Sequence, residues 1–209
     1  MAQVDGSSNT GLRPYRSLYG SIAIRSFEES TCASSKTIQI GDIVTVNTVV
    51  STAFWAVLAP SSQGNGGNLL ENGGGSLLGV AVSASTSDGS TIGHLPSTVN
   101  ADPRRLISVA IADGLTEFAI NISSQGAQNM VPCSSMIGNS YAIECVRTAV
   151  GTKGNHGIWM LQSTNSTAAD LSFVVTDVPD HQVGTTGGYV VGRFLSTMAS
   201  RAVRVGAFT

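Results

Sequence analysis

The sequence predicts an all-β fold: a single β-barrel or β-sandwich domain with extended N- and C-terminal arms. Short runs of alternating and β-branched residues recur along the chain, with turn signals about every 8–15 residues. No segment keeps a 3.6-residue apolar period for more than about two turns, which argues against a helical core. We divide the chain into an N-terminal arm (1–26), a β domain (27–188) and a C-terminal strand or tail (189–209).

The chain is predicted to begin with a polar segment and an extended arm, followed by strands that alternate with loops. Residues 1–11 are polar and glycine-rich with little to bury, and Leu12–Phe27 mixes Arg with Leu, Tyr and Ile, as expected of an extended, adhesive arm. Glycine, proline and serine mark loops at 60–75 and 85–100, and Gly41-Asp42 marks a turn or bulge. The predicted strands are Thr37–Val50, Thr52–Leu58, Leu77–Ser83, Arg105–Ala112, Thr116–Ile122, Ser140–Val146, Gly157–Gln162 and Leu171–Thr176.

Two further elements complete the series. Asp113-Gly114 is a strong turn dipeptide, so Arg105–Ala112 and Thr116–Ile122 are predicted to form a hairpin. A turn is expected at Asp177–Asp180, and Tyr189–Ser200 is either a short helix or a last strand.

Charge is scarce and unevenly placed. Only 11% of the residues are charged, against about 25% in an average soluble domain, so the polar surface must come from Ser, Thr, Asn, Gln and Gly. Both ends are basic, whereas residues 27–188 hold five bases against twelve acids. Nine of the eleven bases are Arg, which forms planar, bidentate pairs at interfaces. Such a distribution favours ends that dock on a carboxylate-bearing surface, although basic tails that stay in solvent give the same pattern.

The residues predicted to bind a partner or another copy of the chain lie in the two arms. They are Arg13, Tyr15, Arg16, Leu18, Tyr19, Arg25, Arg193, Arg201 and Arg204.

The sequence also bears on the compartment. No apolar run approaches the roughly 20 residues that cross a bilayer as a helix, and the N-terminus lacks the pattern of a signal peptide. Cys32, Cys133 and Cys145 are not at metal-binding or redox-motif spacing, so we expect free thiols in a reducing compartment. A bridge between Cys133 and Cys145 stays open as an alternative.

Catalytic and ligand motifs are weak throughout. The glycine-rich loop at 63–75 lacks the Lys-Ser/Thr of a phosphate-binding loop and precedes a strand. The histidines, His94, His156 and His181, are widely separated, and Asp177 and Asp180 have the composition of a β-connection. There is no G-x-S-x-G elbow, and the Arg pair at 104–105 is too small for a nucleic-acid surface on an acidic body. We expect a protein that is not an enzyme, has no catalytic residue, cofactor or metal, and makes no direct contact with nucleic acid or membrane.

Several stretches, taken in order, resemble one family. They are RPYRSLYGS, IQIGDIVTV, LLGVAVS, RRLISVAIADGLTEFAI, MIGNSYAI and STAADLSFVVTDVPDHQVGTTGGYVVGRFL. Together they resemble the capsid decoration, or cement, proteins of tailed bacteriophages. The resemblance implies a virion protein, made in the host cytoplasm, that lies on the outer capsid surface. It implies binding to the major capsid protein, clamping of neighbouring subunits and a homo-oligomer, a trimer being favoured over a dimer.

Two other interpretations remain open from the sequence. One is a different virion part of similar β composition: a tail-tube, head-fibre or baseplate protein. The other is a carbohydrate-binding or hydrolytic β domain, which the 6% aromatic content disfavours because few rings are available to stack on sugars.

Overall fold

The computed structural model describes residues 12–29, 40–47, 55–58, 77–85, 91–92, 106–122, 131–147, 157–161 and 172–195. Within these ranges the chain is mostly β-strand, with two short 3-10 turns at Ser134–Met136 and Asp180–Gln182. The strands are β1 (Arg13–Ser17), β2 (Ile24–Glu29), β3 (Ile43–Asn47), β4 (Trp55–Leu58), β5 (Leu77–Ser85), β6 (Thr91–Ile92), β7 (Leu106–Ile111), β8 (Thr116–Asn121), β9 (Ser140–Tyr141), β10 (Ile143–Arg147), β11 (Gly157–Leu161), β12 (Phe173–Asp177) and β13 (Tyr189–Phe194). The all-β prediction is confirmed.

One sheet has five antiparallel strands in the order β1-β8-β13-β12-β9. Successive side chains along a strand point to opposite faces of the sheet. Phe118 and Ile120 of β8 therefore enter the core, while Glu117 and Ala119 lie on the outer face. The edge strand β1 carries Pro14, and its register with β8 shifts between Pro14 and Arg16. A proline and a bulge are typical of an edge strand, because neither is compatible with regular pairing on both sides.

The second sheet has six strands in the order β3-β4-β2-β7-β5-β6, and β3 also pairs with β5. All of its pairings are antiparallel except that between β2 and β4. β10 and β11 form a separate two-stranded ribbon. The described strands are thus divided between sheets, and they do not make up one closed barrel.

The core lies between the two large sheets. Its members are side chains of both sheets and of the segments beside them, among them Leu12, Ile43, Val80, Phe118 and Phe173. A second apolar cluster, which includes Val44, Leu78 and Val109, packs on the other side of the six-stranded sheet. β5 and β7 therefore have both faces buried, which explains their nearly continuous apolar sequences.

The described part of the predicted N-terminal arm lies in the sheets. β1 pairs with β8, β2 pairs with β7, and Leu12 is fully buried in the core. Burial of a leucine side chain contributes about 1.5–3 kcal/mol, which adds to the strand pairing that holds this segment against the body. At the other end, Tyr189–Phe194 is a strand and not a helix, and it lies in the middle of the five-stranded sheet.

The prediction that Arg105–Ala112 and Thr116–Ile122 form a hairpin is wrong, although the predicted turn at Asp113-Gly114 is present. Gly114 has a φ of 79°, in the left-handed region that favours glycine, and the chain reverses there. The two strands on either side nevertheless enter different sheets, since β7 pairs with β2 and β5 while β8 pairs with β1 and β13. The turn is a corner between the sheets.

The structure also bears on the predictions about the cysteines and about membrane-spanning segments. Cys133 carries a free thiol, and the side chain of Cys145 lies outside the described part of the structure. In the ranges that the structure describes, no helix is long and apolar enough to cross a membrane.

Candidate interaction surface

The outer face of the five-stranded sheet gathers charged and aromatic side chains from distant parts of the sequence. Arg16 of β1 lies opposite Glu117 of β8, and Gly192 of β13 lies opposite Phe118. Arg193, the next residue of β13, therefore follows on the same face as Glu117. Alternation along each strand places Arg16, Glu117 and Arg193 side by side across three strands.

Arg16 connects three strands through ion pairs. Its Nε donates to Oε2 of Glu117 at 2.5 Å, and its Nη2 lies 3.3 Å from Oδ2 of Asp177 at the end of β12. Glu117 is only 2% exposed, whereas the Arg16 side chain is 48% exposed. The hydrogen bond to Glu117 is the main reason that the pKa of Arg16 is raised above its usual value. Arg16 thus neutralises a buried carboxylate and leaves part of its guanidinium facing solvent.

A second group surrounds the ring of Tyr189. The guanidinium of Arg13 lies 4.6 Å from the ring centroid, a cation–π distance. The Tyr189 hydroxyl lies 3.3 Å from Nε2 of His181, and the two rings meet edge to face. The side chain of Gln182 accepts a hydrogen bond from the Tyr189 amide, which joins the 3-10 turn at Asp180–Gln182 to β13.

The corner between the sheets holds three exposed apolar side chains beside this face. The β1–β2 connection and the β7–β8 turn lie against each other, and the Leu18 amide donates to the Leu115 carbonyl at 3.1 Å. We call residues 18–21 and 113–115 together the double turn. Tyr19 is 82% exposed, and Leu18 and Leu115 are 44% and 40% exposed.

Hydrogen bonds hold the double turn in one geometry. The Asp113 carboxylate accepts from the amides of Leu115 and Thr116 at 2.9 and 2.8 Å. Arg193 donates to the Gly114 carbonyl at 3.3 Å. The aspartate contact is the usual side-chain turn motif, which fixes the backbone without further partners.

The predicted partner-binding residues are distributed over both sheets. Arg13, Tyr15 and Arg16 belong to β1, Leu18 and Tyr19 to the double turn, and these are brought together with Arg193. Arg25 is exposed on β2 of the other sheet, and Arg201 and Arg204 lie outside the described residues. The described predicted residues thus divide between one shared surface and Arg25 on the second sheet.

Sequence reasoning missed the partners of these residues. Glu117, Asp177, Tyr189 and Leu115 all contact or flank the predicted arginines and leucine. The alternation of TEFAIN carries a usable signal for Glu117, because it places that acid on the face opposite Phe118 and Ile120. No comparable local signal marks Asp177, which was expected to lie in a turn and in fact ends β12.

The described residues contain no group of three or more His, Cys, Asp or Glu side chains placed to hold a metal ion. His181 is exposed and contacts Tyr189, while His94, His156, the glycine-rich loop and the Arg pair at 104–105 lie outside the described ranges. This surface presents guanidinium groups, phenol rings and aliphatic side chains, which are groups that bind other molecules.

No protein-family model, curated protein or solved structure matches this chain.

Proposed function

We propose that this protein is a structural, non-enzymatic component of a virion: a decoration protein that binds the outer surface of a tailed-bacteriophage head. It clamps neighbouring copies of the major capsid protein and so stabilises the shell against the pressure of packed DNA. The family resemblance of the sequence motifs gives the setting, and the chemistry of the exposed surface supports it.

One observation carries the proposal. Four large apolar or aromatic side chains between residues 15 and 24 face solvent, each at least 41% exposed: Tyr15, Leu18, Tyr19 and Ile24. Arg16 lies among them, and its guanidinium carbon lies 5.6 Å from the centroid of the Tyr15 ring. Tyr and Arg are enriched in the cores of protein interfaces, where lysine is depleted, and the described residues contain no lysine.

The scarcity of charge supports the same function. A protein that covers a shell must remove large areas of its surface from water, and unpaired charges make that costly. The charges on the five-stranded sheet are largely paired within the chain, as in Arg16 with Glu117 and Asp177. Binding at many equivalent sites on a symmetric shell adds avidity, so that each contact needs only modest affinity.

The direct test uses the particle itself. Heads prepared without this protein should bind it from solution, and a cryo-EM map should place it on the outer lattice. Decorated heads should survive heating that disrupts bare heads. Equal robustness of bare and decorated heads would contradict the proposal, and density in the tail or baseplate would favour a different virion role.

A charge-reversal variant tests the predicted basic contacts without disturbing the buried Glu117. Arg25→Glu with Arg201→Glu and Arg204→Glu should weaken head binding by about tenfold or more, since several charge-assisted contacts are lost. Asp180→Lys, an exposed reversal of the opposite sign, is the control and should bind at least as tightly as the unmodified protein. Unchanged head binding by the triple variant would show that these arginines do not contact the head.

A further inference from the structure

Arg193 carries hydrogen-bond donors that the fold leaves without acceptors. Its side chain is partly buried, and Nη1 donates to the Gly114 carbonyl at 3.3 Å. Nε is buried and has no hydrogen-bond partner in the described part of the structure. Arg16 on the same face differs, because Glu117 and Asp177 neutralise its charge. Among the described residues, no carboxylate forms an ion pair with Arg193.

The unmet donors lie on one edge of the guanidinium. Nε–H and one N–H of Nη2 point in parallel along this edge, whereas Nη1, which the turn engages, lies on the other side of the group. Two parallel N–H bonds match the two oxygens of a carboxylate and bind it in a bidentate pair. A buried donor without an acceptor is rare and costly, so an acceptor that arrives from outside removes a cost already present in the fold.

Apolar side chains lie beside Arg193. Val174 is its partner in the neighbouring strand β12, and Leu115 follows the glycine whose carbonyl it binds. The Leu18 amide donates to the Leu115 carbonyl, and Tyr19 comes next, 82% exposed. A charge among side chains that exclude water makes stronger hydrogen bonds than one in solvent. Such an arrangement is typical of the residues that dominate protein interfaces.

The surroundings favour a protein partner over a phosphate-bearing one. A nucleic acid presents a row of phosphates and is bound by several unpaired cations. Here the charge of Arg16 is neutralised within the chain, and Asp113 places a carboxylate at the same corner. The exposed side chains of the double turn match apolar groups on a protein surface instead.

We propose that Arg193 is the receptor for a carboxylate side chain, aspartate or glutamate, on the protein surface that this chain binds. The Nε–Nη2 edge holds the two carboxylate oxygens, and Leu18, Tyr19 and Leu115 cover the apolar groups next to them. The inference rests on the proposed function, of which it names the chemistry of the partner.

The direct test follows the Arg193 Nε–H group by NMR on the full chain, with the signal assigned by its loss in Arg193→Lys. The probe is an acetylated peptide amide with one glutamate between two leucines, and its control is the same peptide with glutamine. The glutamate peptide should shift the signal with a Kd about tenfold or more below that of the glutamine peptide, because only the carboxylate accepts two charge-assisted hydrogen bonds. Equal affinity for the two peptides overturns the inference.

The same signal identifies other occupants. Inorganic phosphate that shifts it at lower concentration than the glutamate peptide would assign the site to phosphate groups. A shift that appears when the protein alone is concentrated would assign the site to another copy of the chain. Either result overturns the inference.

Two variants separate charge from geometry in head binding. Arg193→Met keeps an apolar stem and removes every donor, and Arg193→Lys keeps the charge without the bidentate edge. Both should bind bare heads about tenfold or more weakly than the unmodified protein. Arg25→Lys, at an exposed arginine of the other sheet, is the control and should bind like the unmodified protein. Full binding by either Arg193 variant overturns the inference and leaves the decoration role in place.

Thermal unfolding shows whether Arg193 serves the fold instead. Because its guanidinium has no carboxylate partner among the described residues, Arg193→Met should melt within about 3 °C of the unmodified protein. A much lower melting temperature would assign the arginine to stability and overturn the inference. Selective binding of the glutamate peptide at Arg193 by a protein that never binds heads would support the inference and contradict the decoration role.

Discussion

Arg16 and Glu117 are 101 residues apart in the sequence and form an ion pair on the outer face of the five-stranded sheet. The Nε–Oε2 distance is 2.5 Å, and the carboxylate is almost completely buried while the guanidinium is half exposed. The pair joins the edge strand β1 to β8, and Asp177 extends it to β12. A buried carboxylate without a partner is costly, so Arg16 is what allows an acid at this position.

Arg16→Ala should destabilise the protein by about 1–3 kcal/mol, because it leaves the Glu117 carboxylate buried without its donor. The half-exposed position of Arg16 keeps the loss below that of a fully buried pair. Glu117→Gln should cost less, since it removes the buried charge and keeps an oxygen that accepts from Arg16. Urea unfolding of the two variants gives the order, and a larger loss for Glu117→Gln would show that the buried charge is not the dominant cost.

Gly192→Ala should be strongly destabilising. A Cβ at this position would lie 2.2 Å from the Val174 carbonyl oxygen and 2.4 Å from the Phe173 ring, so β12 and β13 would have to separate. Over-packing of this kind costs about 1–3 kcal/mol or more. Gly138→Ala is the control: its φ is +85° but a Cβ would have open space, so the cost should be only about 1 kcal/mol from backbone strain. Equal thermal shifts in the two variants would argue against the close contact.

The turn at Asp113-Gly114 shows which part of the fold the sequence could predict. Its local chemistry, an aspartate accepting from following amides and a glycine at positive φ, marks the reversal correctly. Strand partners are not local properties, because β7 and β8 find their neighbours through burial against β2, β5, β1 and β13. Alternation and turn residues therefore gave most described strands, and the assignment of strands to sheets required the tertiary structure.

The arginines show why the partners of the interaction surface could not be predicted from the sequence. Composition identified a basic N-terminal segment and favoured an arm that reaches outward. The same segment contains Leu12, whose complete burial fixes it to the core, and Arg16, whose partner lies in a strand of the acidic body. Charge counted along the sequence does not distinguish an arginine that binds another molecule from one that pairs within the fold.

Phe194 should be one of the most sensitive core positions. Its ring meets Phe118 and Phe173 edge to face, with centroid distances of 5.3 and 5.6 Å, and so connects three adjacent strands. Phe194→Ala should cost about 3–5 kcal/mol, from lost apolar burial and the cavity left behind. Phe194→Leu should recover a large part of that loss. Calorimetry on the two variants measures the difference, and a Phe194→Ala protein with unchanged melting temperature would contradict the packing described here.

Alkaline pH should weaken the fold through Tyr141. Burial is the main reason that the pKa of the Tyr141 phenol is raised above its usual value near 10, and an electrostatic contribution from the neighbouring Cys133 side chain adds to it, while a hydrogen bond with Asn139 opposes it. The folded state thus favours the neutral phenol. Its contribution to stability is complete below the unfolded pKa, about 10, and is lost as pH rises through the higher folded value.

Ultraviolet absorbance of the phenolate, recorded with and without Tyr141→Phe, isolates the titration of this one residue. The component lost in the variant should titrate above pH 10, about the usual value for tyrosine. Unfolding free energies measured across the same range should fall more steeply for the unmodified protein than for Tyr141→Phe. Cys133→Ser should shift the Tyr141 titration toward its usual range, because the electrostatic contribution of the Cys133 side chain is removed. A Tyr141 component that titrates at or below about 10 would show that the phenol is not desolvated.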